Sequence, residues 1–218
     1  MLFRYFGQQA AWERKGFRFK MPIKLLDSTL VSLTISVYDW AHYTTSKGAV
    51  KMHTLLDYDC LLPEFMNITG GKRTDNKAAF DIEIKPHSIV VADRGYCDYG
   101  LLNHWDSNNV FYVGRHKDNI RYRTIEELPL PKQHTQNVLM DESIEFGLPA
   151  AKEKFPKRLK RIAVWNDEHG FVIELLTNNF TLAASTIAKL YKARWNIEIF
   201  FHNLKQLLRI KSFIGISR

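Results

Sequence analysis

The amino-acid sequence predicts an α/β fold in which helices flank a mixed β-sheet. Short apolar runs separated by tight breaks open the chain, a continuous apolar run with a helical segment follows, and an amphipathic helix closes it. Tight breaks join antiparallel strands, whereas parallel strands need a crossover such as a helix. Strands and helices in this order therefore predict a mixed sheet with helices on its faces.

Three early segments are predicted to be antiparallel strands, because each is an apolar or β-branched run bounded by turn residues. They are residues 23–33, 50–57 and 62–69. A polar segment at 74–83 is predicted to be helical. Residues 88–93, with the sequence SIVVAD, form the kind of continuous apolar run that is buried on both faces of a sheet. A helical segment at 99–105 and a short strand at 110–113 are predicted next.

The second half of the chain predicts an insertion followed by a long helix. Residues 114–170 contain four prolines and lack sustained helical periodicity, so they are interpreted as β-rich, ending in a strand at 171–179. A helix is predicted from Leu182 to Leu208, with Thr181 or Ser185 as its N-cap. The predicted organisation is a basic N-terminal segment (1–22), a core (23–113 and 180–218) and a β-rich insertion (114–179).

The charge of the chain favours a polyanionic partner. The net charge is +8, and the lysines and arginines concentrate in residues 1–24, 152–161 and 189–218, with one acidic residue in each segment. Clustered basic charge in a folded domain is typical of proteins that bind nucleic acid. A solvated basic surface without a partner is equally compatible with the charge. The segment at 152–161 is open to both interpretations, contact with a DNA backbone and a solvated face.

Composition excludes several other classes of protein. Hydrophobic residues make up 45% and charged residues 25%, which is a globular profile. No apolar stretch approaches the roughly 20 residues that span a bilayer, and the N-terminus lacks a secretory signal pattern. Cys60 and Cys97 are therefore expected to be free thiols in a reducing compartment, and no membrane partner is expected.

The last predicted helix carries a polar constellation beside its apolar stripe. On one continuous helix, four side chains fall within an arc of about 60° over about 21 Å. They are Tyr191, Arg194, Glu198 and Lys205. At this position on the helix, Glu198 is placed to reach a metal ion. The basic side chains on either side of it are placed to reach phosphates. The alternative is an ordinary surface pair between Arg194 and Glu198.

Two aspartates occupy positions that strands disfavour. Asp27 lies within the first apolar run, and Asp93 ends the fourth. Three carboxylates, these two and Glu198, would form an all-oxygen site of the kind that suits two Mg²⁺ or Mn²⁺ ions. A strand-end cap or a salt-bridge partner is the alternative for each aspartate alone. Asp75 is interpreted as a helix N-cap or as a support for the site, and Trp195 as a packing residue or a platform for an unpaired base.

Four motifs in chain order carry a family resemblance. They are LLDST (25–29), ADRGY (92–96), LLTNN (175–179) and YKARWNIEIFFHNLK (191–205). The last has the spacing Y-x2-R-x3-E-x6-K. Together they resemble the DDE transposases of bacterial insertion sequences, specifically the insertion-sequence-four group.

The resemblance implies a ribonuclease-H-like core with a β-rich insertion between the second aspartate and the glutamate-bearing helix. It implies metal-dependent cleavage of double-stranded DNA at transposon ends, with two Mg²⁺ or Mn²⁺ ions, followed by strand transfer to target DNA in the bacterial cytoplasm. The residues carried over are Asp27, Asp93 and Glu198 as the catalytic, metal-binding triad, and Tyr191, Arg194 and Lys205 as contacts to DNA phosphates.

Members of this group are longer than this chain, which is therefore expected to lack a helical N-terminal region and further C-terminal helices. The full-length protein is expected to act as a homodimer. Two functional hypotheses follow. One is a DNA strand-transfer enzyme, favoured by the intact triad. The other is a catalytically silent DNA-binding remnant that interferes with an intact transposase, favoured by the missing flanks.

Overall fold

A computed structural model describes residues 16–17, 19–33, 48–117, 120–130, 137–168 and 170–207 of the chain. They form two compact units. Among the described residues, the first unit contains those up to Lys20, Lys24–Ile82 and the helix that begins at Trp195. The second unit contains Met21–Ile23 and Glu83–Arg194. Most of the predicted basic segment at 1–22 and the C-terminal residues 208–218 lie outside the described residues. The predicted division into core and insertion remains a prediction.

The first unit contains three antiparallel strands, which confirms the prediction that the three early apolar segments form antiparallel strands. Its strands are β1 (Ile23–Leu33), β2 (Gly48–Asp57) and β3 (Pro63–Gly70), with β2 between the other two. Asp27 lies opposite Thr54, and Ser28 lies opposite His53. Because alternate residues of a strand point to opposite faces, the side chains of Asp27 and Ser28 project from opposite faces of this sheet.

The described residues of the first unit include two helices. Helix α1 (Asp75–Ala79) follows β3, and its Ala78 and Ala79 are buried. Helix α5 (Trp195–Leu207) buries Ile197 and Phe201 and leaves Leu207 exposed. At the start of β1, the buried ammonium of Lys24 contacts Asp57 at 2.6 Å and Glu64 at 2.7 Å. Burial alone would lower the pKa of Lys24, but the hydrogen bonds to these two carboxylates raise it above its ordinary value.

The second unit contains a six-stranded mixed sheet. In spatial order its strands are β4 (Ile89–Ala92), β5 (Phe111–Arg115), β9 (Phe171–Thr177), β8 (Leu159–Asn166), β7 (Val138–Phe146) and β6 (Tyr122–Glu127). Among the described strands of this sheet, β4 and β5 pair in parallel, and the pairs β5–β9, β9–β8, β8–β7 and β7–β6 are antiparallel. The α/β class with a mixed sheet is thus confirmed, and residues 114–170 are β-rich as predicted.

Helices connect and cover these strands. Helix α2 (Tyr99–Ser107) is the crossover that the parallel pair β4–β5 requires, and the side chain of Asp98 caps it by accepting from the N–H groups of Gly100 and Leu101. All four residues of β4 are buried, as the continuous apolar run predicts. The other helices of this unit are α3 (Pro149–Lys154) and α4 (Ala184–Ala193).

The prediction of one long C-terminal helix is wrong. Helices α4 and α5 are separate, and at Arg194 between them the backbone N–H bonds to the carbonyl of Tyr191 at 3.1 Å, three residues back rather than four. Arg194 itself keeps α-helical backbone angles, with φ at −53° and ψ at −31°. Neither Thr181 nor Ser185 is the N-cap of α4. Ala183 holds that position without a side-chain hydrogen bond.

The basic segment at 152–161 is largely occupied by ion pairs within the second unit. Arg161 is buried and pairs with Glu142 and Glu174, and Lys160 is buried beside Asp141. Closer to the surface, Lys152 and Arg158 contact Glu145, and Lys157 contacts Asp106. A buried charge is costly unless it is paired. Much of the charge that suggested a DNA contact therefore serves the fold.

We expect the Arg161→Ala substitution to lower the free energy of unfolding by about 3–5 kcal/mol, because it leaves the buried Glu142 carboxylate unpaired. The matched control is Arg123→Ala. The Arg123 side chain is 71% exposed and lies 3.6 Å from Glu145, so its loss is expected to cost less than about 1 kcal/mol. Urea unfolding followed by circular dichroism measures both. Equal effects of the two substitutions would show that the buried network does not stabilise the sheet.

Candidate active site

Asp93 lies directly after the buried strand β4, as the sequence predicts. It is half-buried and immediately precedes a 3₁₀ turn (Arg94–Tyr96) in the position of an N-cap. Its side chain makes no capping hydrogen bond to that turn. Instead, Oδ1 accepts a hydrogen bond from the hydroxyl of Tyr191 at 3.0 Å. A carboxylate that ends a buried strand is thus held by a residue 98 positions further along the chain.

Tyr191 lies in the last turn of α4 and is half-buried. Burial, followed by the nearby Asp93 carboxylate, raises the pKa of its phenol to about 12. The guanidinium carbon of Arg194 lies 5.6 Å from the centroid of the ring, within cation–π range. Three of the predicted site residues therefore lie together in the second unit: Asp93, Tyr191 and Arg194.

The chain behind Asp93 is apolar and tightly packed. The small space there is lined by Ala92, Cys97, Tyr112 and Leu176, among others. Burial raises the pKa of the Cys97 thiol to about 11, so the thiol stays protonated and unreactive at neutral pH. Cys60 and Cys97 are both free, as predicted. These packed walls fix the end of β4 and so limit where the Asp93 carboxylate can lie.

Asp27 is half-buried in the middle of β1. Its Oδ1 accepts a hydrogen bond from the backbone N–H of Ser28 at 2.8 Å. On the opposite face of the sheet, the Ser28 hydroxyl donates to Asp75 Oδ1 at 2.6 Å, and the Lys51 ammonium lies 3.2 Å from the same oxygen. Because Ser28 follows Asp27 directly, this pair of contacts holds the backbone segment that carries Asp27.

Asp75 is not a helix N-cap. Thr74 occupies the cap position and Asp75 is the first residue of α1. Its carboxylate contacts Ser28 and Lys51, and His53 Nδ1 lies 3.7 Å away. Sequence reasoning missed this cluster because its members come from three separate segments and share no spacing. The signal in the sequence is the alternation of side chains along two paired strands. It could have placed Ser28 of β1 opposite His53 of β2.

Glu198 lies in the first turn of α5 and is half-buried, and Lys205 lies in the last turn. Trp195, at the start of the helix, is 59% exposed, so it is not a packing residue. Asp27 and Glu198 belong to the first unit, whereas Asp93 belongs to the second. Within either unit, the part of the chain that the structure describes has no group of three His, Cys, Asp or Glu side chains arranged to hold a metal ion.

The chemistry of the three carboxylates fits a divalent ion. An ionised carboxylate has two oxygens with about four lone-pair positions, so a hydrogen bond to one oxygen leaves the group able to coordinate an ion. This holds for Asp93 with the hydroxyl of Tyr191. Oxygen donors of this kind select Mg²⁺ or Mn²⁺ over zinc.

We expect the Asp93→Asn substitution to lower the pKa of Tyr191 from about 12 towards the ordinary value for tyrosine, because the neighbouring negative charge opposes formation of the phenolate. The fall is partial, since burial, the larger cause, remains. Titration of ¹³C-labelled tyrosine by NMR measures it, with Tyr191→Phe for assignment. The control is Tyr99, whose raised pKa involves burial, Cys97 and Asp98 and is expected not to change. An unchanged Tyr191 pKa would contradict the contact.

The comparisons of this chain with known proteins agree on one family. The family model described as the transposase DDE domain matches residues 18–217. A Geobacillus stearothermophilus protein named "Probable transposase for insertion sequence element IS5377" is 28% identical over 204 residues, covering 94% of this chain and 53% of the relative. A Sinorhizobium fredii protein that also carries a transposase name is 31% identical over 195 residues, covering 88% of this chain and 54% of the relative.

The chain thus spans about half the length of the relatives it matches. Among solved structures, the piggyBac transposase synaptic complex with hairpin DNA matches with a TM-score of 0.47 and 10% identity, over 87% of this chain and 40% of that chain. In the described part of the chain, no helix has the length and apolar character needed to cross a membrane. Since the family model covers nearly all of the sequence, from residue 18 to residue 217, the chain belongs to the transposase DDE domain family.

Proposed function

We propose that this chain is the catalytic region of an insertion-sequence transposase of the insertion-sequence-four group, which cleaves DNA at the ends of its element and joins those ends to target DNA. The observation that carries the proposal is the family match over residues 18–217. Asp27, Asp93 and Glu198 lie within the matched residues and are proposed to be the catalytic carboxylates. The ordered position of Asp93 at the end of β4 supports its role.

The three carboxylates are proposed to hold two Mg²⁺ or Mn²⁺ ions, in a family that generally uses divalent metals. Bound ions would activate the attacking water or 3′-hydroxyl and stabilise the leaving oxygen. The task of the protein is then to present carboxylates in a fixed geometry. The N–H of Ser28 on Asp27 and the hydroxyl of Tyr191 on Asp93 provide that restraint.

Arg194 and Lys205 are proposed to bind DNA phosphates on either side of the reacting bond, and the family signature also assigns Tyr191 to this group. A guanidinium presents a planar fork of donors that matches two phosphate oxygens, whereas an ammonium acts as a point charge. The partners are double-stranded DNA, both the element ends and the target. The full-length protein is proposed to act as a homodimer in the bacterial cytoplasm.

A catalytically silent DNA-binding protein that interferes with an intact transposase is the second candidate. The division of the three carboxylates between two compact units favours it, because neither unit alone supplies a three-group metal site among its described residues. The two candidates differ in one measurable property. Only the enzyme cleaves DNA in a way that depends on the carboxylates.

We expect the 218-residue chain to nick supercoiled duplex DNA weakly in Mn²⁺ and not in EDTA. Asp27→Asn, Asp93→Asn and Glu198→Gln are each expected to reduce nicking at least about a hundredfold, because each removes an anionic ligand. Asp59→Asn is the matched control, since this exposed carboxylate lies in a turn after β2. Conversion of supercoiled to open-circular plasmid is followed on agarose gels. Nicking that all three variants retain would refute the enzyme and favour the silent DNA-binding protein.

DNA affinity is expected to fall steeply with salt, because phosphate contacts release counterions. Arg194→Ala is expected to weaken binding and to reduce the slope of log K against log salt by about one. Lys157→Ala serves as the control, because this lysine is paired with Asp106. Fluorescence anisotropy of a labelled duplex at several salt concentrations measures both slopes. A DNA affinity that does not change with salt concentration would contradict binding through phosphates.

A further inference from the structure

One carboxylate oxygen on the face of β1 opposite to Asp27 gathers side chains from two neighbouring strands. Oδ1 of Asp75 accepts a hydrogen bond from the hydroxyl of Ser28 at 2.6 Å, and the Lys51 ammonium lies 3.2 Å from the same oxygen. Nδ1 of the buried His53 is 3.7 Å from it. All of these residues belong to the first unit, so the cluster is a feature of that unit alone.

Ser28 connects this cluster to Asp27 through its backbone. Its N–H donates to Oδ1 of Asp27 at 2.8 Å, while its hydroxyl donates to Asp75 on the other face. A distance of 2.6 Å between hydroxyl and carboxylate oxygens is typical of the stronger, charge-assisted hydrogen bonds. A serine whose hydroxyl is bonded in this way is restricted to one side-chain rotamer. The bond therefore also restricts the backbone of Ser28 and the direction of its N–H.

We infer that Asp75 is a positioning residue of the proposed metal site: it holds Ser28, whose N–H in turn orients the carboxylate of Asp27. This inference rests on the proposed function, because it takes Asp27 as a metal ligand. Asp75 acts from the opposite face of the sheet and does not itself bind the ion. Groups that hydrogen-bond to a metal ligand in this way set its orientation and tune the affinity of the site.

Asp75 is itself held in place. It is the first residue of α1, a helix that contacts β2 and buries Ala78 and Ala79. Lys51 supplies a positive charge beside it. Burial lowers the pKa of His53, so the imidazole is neutral at neutral pH and does not compete with Lys51 as a cation. The carboxylate that holds Ser28 is thus fixed by a helix on one side and by a strand on the other.

A role in the fold alone is the alternative for this cluster, and the two roles predict different results. If the cluster serves only the fold, its loss lowers the free energy of unfolding and leaves the folded protein with its full affinity for metal. If Asp75 positions Asp27, its loss lowers the metal affinity of protein that is still folded. Metal affinity measured on folded variants therefore separates the two roles.

The test measures Mn²⁺ affinity of the 218-residue chain by electron paramagnetic resonance without DNA. Asp75→Ala and Ser28→Ala each remove the same hydrogen bond, and each is expected to lower the affinity about tenfold, as is typical when a partner that orients a metal ligand is lost. The double variant is expected to lose no more than either single variant, because both act through one bond. Ser28→Ala removes one oxygen atom and so tests the inference even if Asp75→Ala does not fold.

Two further variants make the result specific. Ser28→Thr keeps the hydroxyl at a half-buried strand position that suits a β-branched residue, so its affinity is expected to stay within about twofold of the unmodified chain. Thr69→Val removes a hydroxyl that lies 3.0 Å from His53 Nε2 on β3, without touching Ser28 or Asp75. It is expected to lower the free energy of unfolding and to preserve Mn²⁺ affinity. Circular dichroism and urea unfolding of each variant measure folding and stability.

Three outcomes would overturn the inference, and they are distinguishable. If Asp27→Asn loses Mn²⁺ affinity while folded Ser28→Ala and Asp75→Ala retain it, the cluster serves only the fold and the proposed function is unaffected. If Thr69→Val lowers the affinity as much as Asp75→Ala does, the loss reflects a general loosening of the sheet. If Asp27→Asn binds Mn²⁺ as tightly as the unmodified chain, Asp27 is not a ligand, and the proposed site fails together with the inference.

Discussion

The free-energy cost of burying ionisable groups constrains both units of this protein. A buried charge must be paired or hydrogen-bonded, and three places in the chain show how this requirement is met. Lys24 is paired with two carboxylates at the start of β1, and Arg161 is paired with two carboxylates in the sheet of the second unit. At the end of β4, a neutral hydroxyl from Tyr191 satisfies Asp93 instead of a cation. The hydroxyl brings no positive charge of its own to this carboxylate.

Much of the fold follows from patterns that are local in sequence. The apolar run at 88–93 predicts a strand buried on both faces, and β4 is buried along its whole length. The strand at 23–33 has the predicted bounds. The break at Arg194 could not be predicted, because the apolar stripe continues through it and the residue itself is a good helix former. The helix break is marked by a hydrogen bond from the backbone N–H of Arg194 to the carbonyl of Tyr191, three residues back.

The residues of the candidate site remain a prediction from the sequence, and their contacts could not be predicted. The motifs identify Asp93 and Tyr191 as members of one site, but their spacing assigns the tyrosine to DNA. Its hydrogen bond to Asp93 joins residues 98 positions apart and depends on how α4 packs in the second unit. At residues 152–161, the sequence pattern is clear but does not reveal what the basic side chains contact. Its composition suggests a DNA contact, whereas Lys160 and Arg161 are buried in ion pairs that only tertiary structure creates.

The proposal on which the account depends is that Asp27, Asp93 and Glu198 bind the metal ions together. A crystal structure of the 218-residue chain soaked in Mn²⁺, with anomalous difference maps, tests it most directly. We expect anomalous peaks within coordination distance of oxygens from all three carboxylates. Manganese bound without any one of them would contradict the proposal.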